Sequence, residues 1–128
     1  MTMARMLTVA AAQLGPIART DSKASVVKRL LALMREAKAL GADVVAYPEL
    51  ALTSFFPRWY FEDQAQIDLF FETEMPSPET QALFDEAKRL SIGFHLGYAE
   101  LVDIAGSKRR FNTAILVNQQ AEIIHRYR

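Results

Sequence analysis

The sequence predicts an α/β chain whose sheet is mixed and opens on a βαβ unit. Three observations carry this: an apolar run at residues 7–14, an amphipathic stretch from 22 to 40, and a second apolar run at 44–47. Apolar residues without alternation mark a strand covered on both faces. Gly15-Pro16 ends the first run. Asp21 or Ser22 then offers an N-cap, and Val26, Val27, Leu30, Leu31, Met34, Ala37 and Leu40 recur at helical spacing. Gly41 fits the C′ position. Strand, helix and strand joined by short links predict a parallel pair with a right-handed crossover.

The remaining elements follow from punctuation. An irregular aromatic stretch occupies residues 55–61, and a helix is expected over 64–73. Ser77-Pro78 reads as an N-cap with proline at the first helical position, followed by a stripe of Leu83, Phe84, Ala87 and Leu90. Strands are expected at 92–98, 111–117 and 122–127, with a hairpin loop over 100–108. The turn at 118–121 lacks the glycine that a tight hairpin favours. Apolar residues at successive positions of 111–117 imply packing layers on both sides.

Composition narrows the function. With 128 residues and 51% hydrophobic content, the chain suits one globular unit and excludes a disordered one. Its 15 Lys and Arg balance 15 Asp and Glu, so no net field attracts nucleic acid or anionic lipid. Lys108-Arg109-Arg110 has no aromatic platform beside it and reads as a solvated loop. The absence of cysteine rules out disulfides and thiolate metal sites and fits a cytoplasmic protein. The apolar stretch after Arg5 is shorter than the roughly 7–15 residues of a signal peptide, and nothing nears the roughly 20 of a membrane span.

One residue stands out for chemistry. Residues 43–50, Asp-Val-Val-Ala-Tyr-Pro-Glu-Leu, form a strand that stops at Pro48 and delivers Glu49. The carboxyl ends of parallel strands are where α/β proteins place their sites. Aromatic bulk downstream could provide a low-dielectric wall for an acid or base. A surface-paired or helix-capping carboxylate is the other reading of the same pattern. Phe55, Arg58 and Asn112 are candidates for substrate contacts, with packing, a surface pair to Glu62 and a structural amide as their alternatives. His95 is expected as a buried strand histidine. His125 has no second ligand at metal spacing, so no metal site is expected.

Tyr47-Pro48-Glu49-Leu50 with Thr53 resembles the glutamate motif of the nitrilase-like carbon–nitrogen hydrolases. Further blocks at residues 51–59, 71–76, 97–101 and 108–113 are similar to those of N-carbamoyl-D-amino acid amidohydrolases, and the resemblance runs from Leu7 to Arg128. It implies a four-layer αββα sandwich, of which residues 1–128 supply the N-terminal half of a single domain. It also implies a Glu-Lys-Cys mechanism without cofactor, acting on a small N-carbamoyl amino acid or amide, in an enzyme that is a homo-oligomer when complete. The glutamate role falls on Glu49. The family's lysine follows a Tyr-Arg pair, where this sequence reaches Tyr127-Arg128, and its cysteine lies further on; neither is present. The chain alone is therefore expected to be inactive. A related amidase, nitrilase or ureidopropionase-like hydrolase, or a non-catalytic remnant or assembly module, is the alternative.

Overall fold

Five strands form one mixed sheet, ordered β1-β2-β3-β4-β5 as in the chain. The computed structural model describes residues 3–128. β1 (Val9–Ala11), β2 (Val44–Ala46) and β3 (Gly93–Ile104) run parallel, while β4 (Ser107–Val117) and β5 (Ile123–Tyr127) return antiparallel. α1 (Lys23–Ala39) makes the β1–β2 crossover, so the βαβ opening is present. Ser22 caps it by accepting from the Ser25 amide, and Gly41 follows its end at φ +87°.

One face of the sheet carries the core. Val26, Leu30 and Met34 of α1 and Leu83, Phe84 and Ala87 of α3 (Gln81–Leu90) bury against Val45, Phe94, Leu96, Ile115 and Val117. Phe84 meets Phe94 edge-on at 5.2 Å. Tyr47 extends the cluster and donates its hydroxyl to the Leu30 carbonyl at 2.7 Å, which ties the end of β2 to α1. Burial pushes its phenol above the ordinary tyrosine range. Leu40, counted in the apolar stripe, instead lies exposed at the helix end.

Alternation puts the other residues of each strand on the opposite face. Register aligns Ala46, His95, Leu116 and His125 in one row there. Both long helices lie on the far side of the sheet from this row. This corrects the reading of residues 7–14 as a doubly covered strand. Only three residues pair, β1 sits at the sheet edge, and Leu7 and Val9 are more than half exposed. It also corrects His95, which is half-buried because neither long helix covers its face.

The other departures have local causes. The helix expected over 64–73 is only α2 (Gln64–Asp68), because Phe70 leaves it to stack on Phe56 at 4.8 Å. Glu72 then joins the edge of β3, donating to the Ala99 carbonyl and accepting from the Leu101 amide. α3 starts at Gln81, after a turn in which Ser77 and Thr80 cap each other. Pro78 therefore sits in that turn and not in the helix. No loop spans 100–108: β3 and β4 continue until Ala105-Gly106, whose φ values of +52° and +81° fit a two-residue type I′ hairpin turn. At 118–121 the Asn118 side chain does what glycine was expected to do. Its Oδ1 accepts from the Gln120 and Glu122 amides, while Ala121 takes φ +63°.

Candidate active site

Glu49 owes its position to a gap in β3. Beyond β2 the chain still follows that strand, with Tyr47 donating to the His95 carbonyl at 3.0 Å and Ala51 to the Gly97 carbonyl at 2.9 Å. Between these anchors Pro48 to Leu50 bulge across Gly97, and Leu50 takes a left-handed φ of +47°. A Cβ at Gly97 would lie 3.1 Å from the Glu49 Cα and 3.2 Å from both the Leu50 nitrogen and the Pro48 oxygen. Those contacts are backbone, so a methyl there would have to push the glutamate-bearing loop off the sheet. Glycine inside a strand often marks such an approach. That signal was available in the sequence and went unread.

The Glu49 side chain is exposed, and it meets one partner. Asn112 Nδ2, from β4, donates to Oε1 at 2.6 Å. Asn112 pairs with Ala99, two residues beyond Gly97, so both side chains sit on the face away from the helices. Next to them a concavity of about 200 Å³ is lined by Leu50, Phe56, Pro57, Phe71, Ala99, Arg110, Phe111 and Asn112. Its arginine is already engaged: Arg110 holds Asp68 through two hydrogen bonds of 2.7 and 2.9 Å. The hydrogen bond from Arg110 keeps the Asp68 carboxyl below its ordinary range.

Two of the four candidate site residues, Glu49 and Asn112, thus come together. Phe55 and Arg58 do not join them. Phe55 is 53% exposed, and the Arg58 guanidinium lies 5.9 Å from the Trp59 ring. Phe56 and Pro57 form the wall instead, because the short 3₁₀ turn over Phe56–Arg58 buries Phe56 in the aromatic cluster. Among the described residues no group of three or more His, Asp or Glu side chains is placed to hold a metal, and no helix is long and apolar enough to cross a membrane.

A second polar group lies near the end of β3. Glu100, 6% exposed, accepts from Thr113 at 2.8 Å and from Arg128 at 2.7 and 3.1 Å, with Arg126 at 3.5 Å. Burial alone would raise its carboxyl pKa, but the hydrogen bonds from Arg128 and Thr113 outweigh that and leave it below 4.5. Burial, with Glu100 beside it, pushes the Tyr98 phenol up to about 12. Lys23 of α1 pairs with buried Glu72 at 2.5 Å. Sequence reasoning missed this group, because nothing local links residue 100 to 128.

A depressed carboxyl gives stability that is fully present above its unfolded value and is lost as pH falls through the folded one. Glu100→Gln should therefore cost about 1–3 kcal/mol at pH 7, the scale of hydrogen bonds to a charged group. The deficit should shrink as pH falls below about 4. Urea unfolding across pH checks this; a deficit that stays constant would remove the ion pair as its source.

The profile of the family described as carbon-nitrogen hydrolase matches residues 8–128. The chain belongs to that family. It is 30% identical over 129 aligned positions to an arylacetonitrilase of Macrophomina phaseolina (strain MS6), covering 97% of this chain and 36% of that protein. Among solved structures it is similar to an N-terminal amidase in complex with an Asn-Glu-Ala peptide, at TM-score 0.69 and 21% identity. That match covers 95% of this chain and 28% of the amidase. A carbon-nitrogen hydrolase from Helicobacter pylori G27 matches at TM-score 0.71 and 17% identity, covering 94% of this chain and 38% of that one. An amidase from Nesterenkonia sp. matches at TM-score 0.64 and 18% identity, with 94% and 41% covered. At such identities these structures show the fold: a mixed α/β sheet of the nitrilase kind. The chain spans about a third of the length of the arylacetonitrilase.

Proposed function

We propose that this chain supplies the glutamate-bearing part of an enzyme that hydrolyses linear carbon–nitrogen bonds in small molecules. The substrate we favour is an N-carbamoyl-D-amino acid, converted to the D-amino acid, carbon dioxide and ammonia. The observation that carries this reading is the Glu49 carboxylate. It is anchored by Asn112 on the sheet face opposite the two long helices, beside a concavity with mostly apolar walls.

In this reading Glu49 takes the proton of a cysteine thiol supplied from outside the 128 residues, and the thiolate adds to the carbamoyl carbon. A lysine, likewise supplied, balances the negative oxygen. Glu49 passes the proton to the departing amine. It then takes one from water, whose hydroxide adds to the carbamoyl carbon, and returns it to the departing thiolate, which frees carbamic acid and restores the thiol. The carbamic acid so freed breaks its carbon–nitrogen bond to give carbon dioxide and ammonia. A carboxylate can perform each of these transfers, because it is an acceptor when ionised and a donor when protonated. Phe55 and Arg58 remain proposed substrate contacts only if the 55–58 segment turns toward Glu49 in the whole enzyme. We also propose that the whole enzyme is a cytoplasmic homo-oligomer.

A nitrile substrate is the second reading, favoured by the 30% identity to the arylacetonitrilase. Ammonia release from a panel of N-carbamoyl-D- and L-amino acids, arylacetonitriles and aliphatic amides separates the two. The expected result is a kcat/KM at least about tenfold higher for the carbamoyl-D substrates, equivalent to about 1.4 kcal/mol. A preference for the nitriles would move the assignment to the second reading.

A further inference from the structure

Asn112 bonds to a carboxylate that would otherwise swing in solvent. An ionised carboxylate only accepts hydrogen bonds, so the asparagine must present its NH₂ group, as the 2.6 Å contact from Nδ2 to Oε1 has it. That bond uses one oxygen of Glu49 and leaves the other for a proton in transit. The platform beneath it is stiff. Thr113, the next residue, is fixed to buried Glu100, and Arg110, two residues before on the same face, is clamped by Asp68. β3 holds this stretch of β4 by an unbroken antiparallel ladder, with Ala99 opposite Asn112. Functional side chains held by rigid elements keep their geometry better than those on loops. Here the loop carries the carboxylate and the strand carries its anchor.

We infer that Asn112 is a positioning residue for Glu49, acting through that carboxylate and not on substrate. This deepens the reading of Glu49 as the proton carrier and rests on it. The sequence offered Asn112 as a substrate contact, but one N–H of its amide is directed at Glu49. The two roles differ in what they do to the kinetic constants. Loss of a substrate contact raises KM, whereas loss of an aimed base lowers kcat.

The test is a double-mutant cycle in the whole enzyme, with kcat and KM measured for Asn112→Ala, Asn112→Asp, Glu49→Gln and the Glu49→Gln/Asn112→Ala pair. Asn112→Ala should lower kcat roughly 10- to 100-fold, the range of a hydrogen bond to a charged group, with KM within about twofold. Asn112→Asp keeps the shape, removes the donor and sets a second carboxylate beside the first, so it should lose more than alanine does. In the Glu49→Gln background Asn112→Ala should have no further effect, because its route to the chemistry is gone. Asn112 is exposed, so melting temperatures should not move. A raised KM with kcat preserved would overturn the inference and make Asn112 a substrate contact. Losses that multiply in the double variant would overturn it too. Full turnover by Glu49→Gln is a separate failure: it would remove the base reading and this inference with it.

Discussion

Glu49→Gln should lower kcat of the whole enzyme by roughly 10²-fold or more, the scale for losing a positioned general acid–base. The substitution is a narrow one. Glutamine has the same length, and its amide oxygen can still accept from Asn112 Nδ2, so the loop should stay where it is. What disappears is the ability to take a proton from a thiol and return it to an amine. Since Glu49 is exposed and outside the core, the melting temperature should hold, as surface substitutions usually change stability by no more than about 0.5 kcal/mol. Glu49→Asp gives a second reading of the same point. It keeps the charge but withdraws the carboxylate by one methylene from the 2.6 Å contact, so turnover should fall while the fold persists. Near-normal kcat in Glu49→Gln with unchanged melting would take the residue out of the mechanism.

Why Glu49 could be read from sequence while its surroundings could not is a matter of range. Pro48 ends β2 by removing a donor, a local effect, and the acid after it is then fixed at a strand end. The same holds for α1, whose cap, stripe and terminal glycine all lie within one short window. The partners of Glu49 are distant: Gly97 lies 48 positions on and Asn112 lies 63 positions on, and they meet it only through the β2–β3 and β3–β4 pairings. Nothing near Glu100 announces Arg128 either. Errors at element ends have a related origin. The helix expected over 64–73 stops at Asp68, and Phe70 beyond it stacks on Phe56, a partner that local sequence does not show. Hairpin pairing carried β3 and β4 through polar residues that local pattern assigned to a loop. In residues 7–14 apolarity was read as burial, although β1 is an edge strand whose outer face has nothing over it.

Expressed by itself, the 128-residue chain should release no measurable ammonia from carbamoyl, amide or nitrile substrates, and it should self-associate. The first expectation follows from the chemistry. The sequence has no thiol, and Glu49 can move a proton but cannot form the covalent intermediate. Removing a catalytic nucleophile costs on the order of 10⁶-fold, which puts any residual rate below detection. The second expectation follows from the surface. Val9 at one edge of the sheet is 56% exposed, and Ile124 and Tyr127 at the other are 57% and 70% exposed. The row of Ala46, His95 and Leu116 between them faces away from both long helices. Unpaired edges and an uncovered apolar face each favour contact with another chain. Sedimentation velocity over a range of concentrations should show species heavier than the 14.4 kDa monomer, with the proportion rising with concentration. A compact monomer at all concentrations would mean that the sheet tolerates water on this face. Robust turnover would be the more serious result, since it would require a nucleophile other than cysteine and would end the role assigned to Glu49 as its partner.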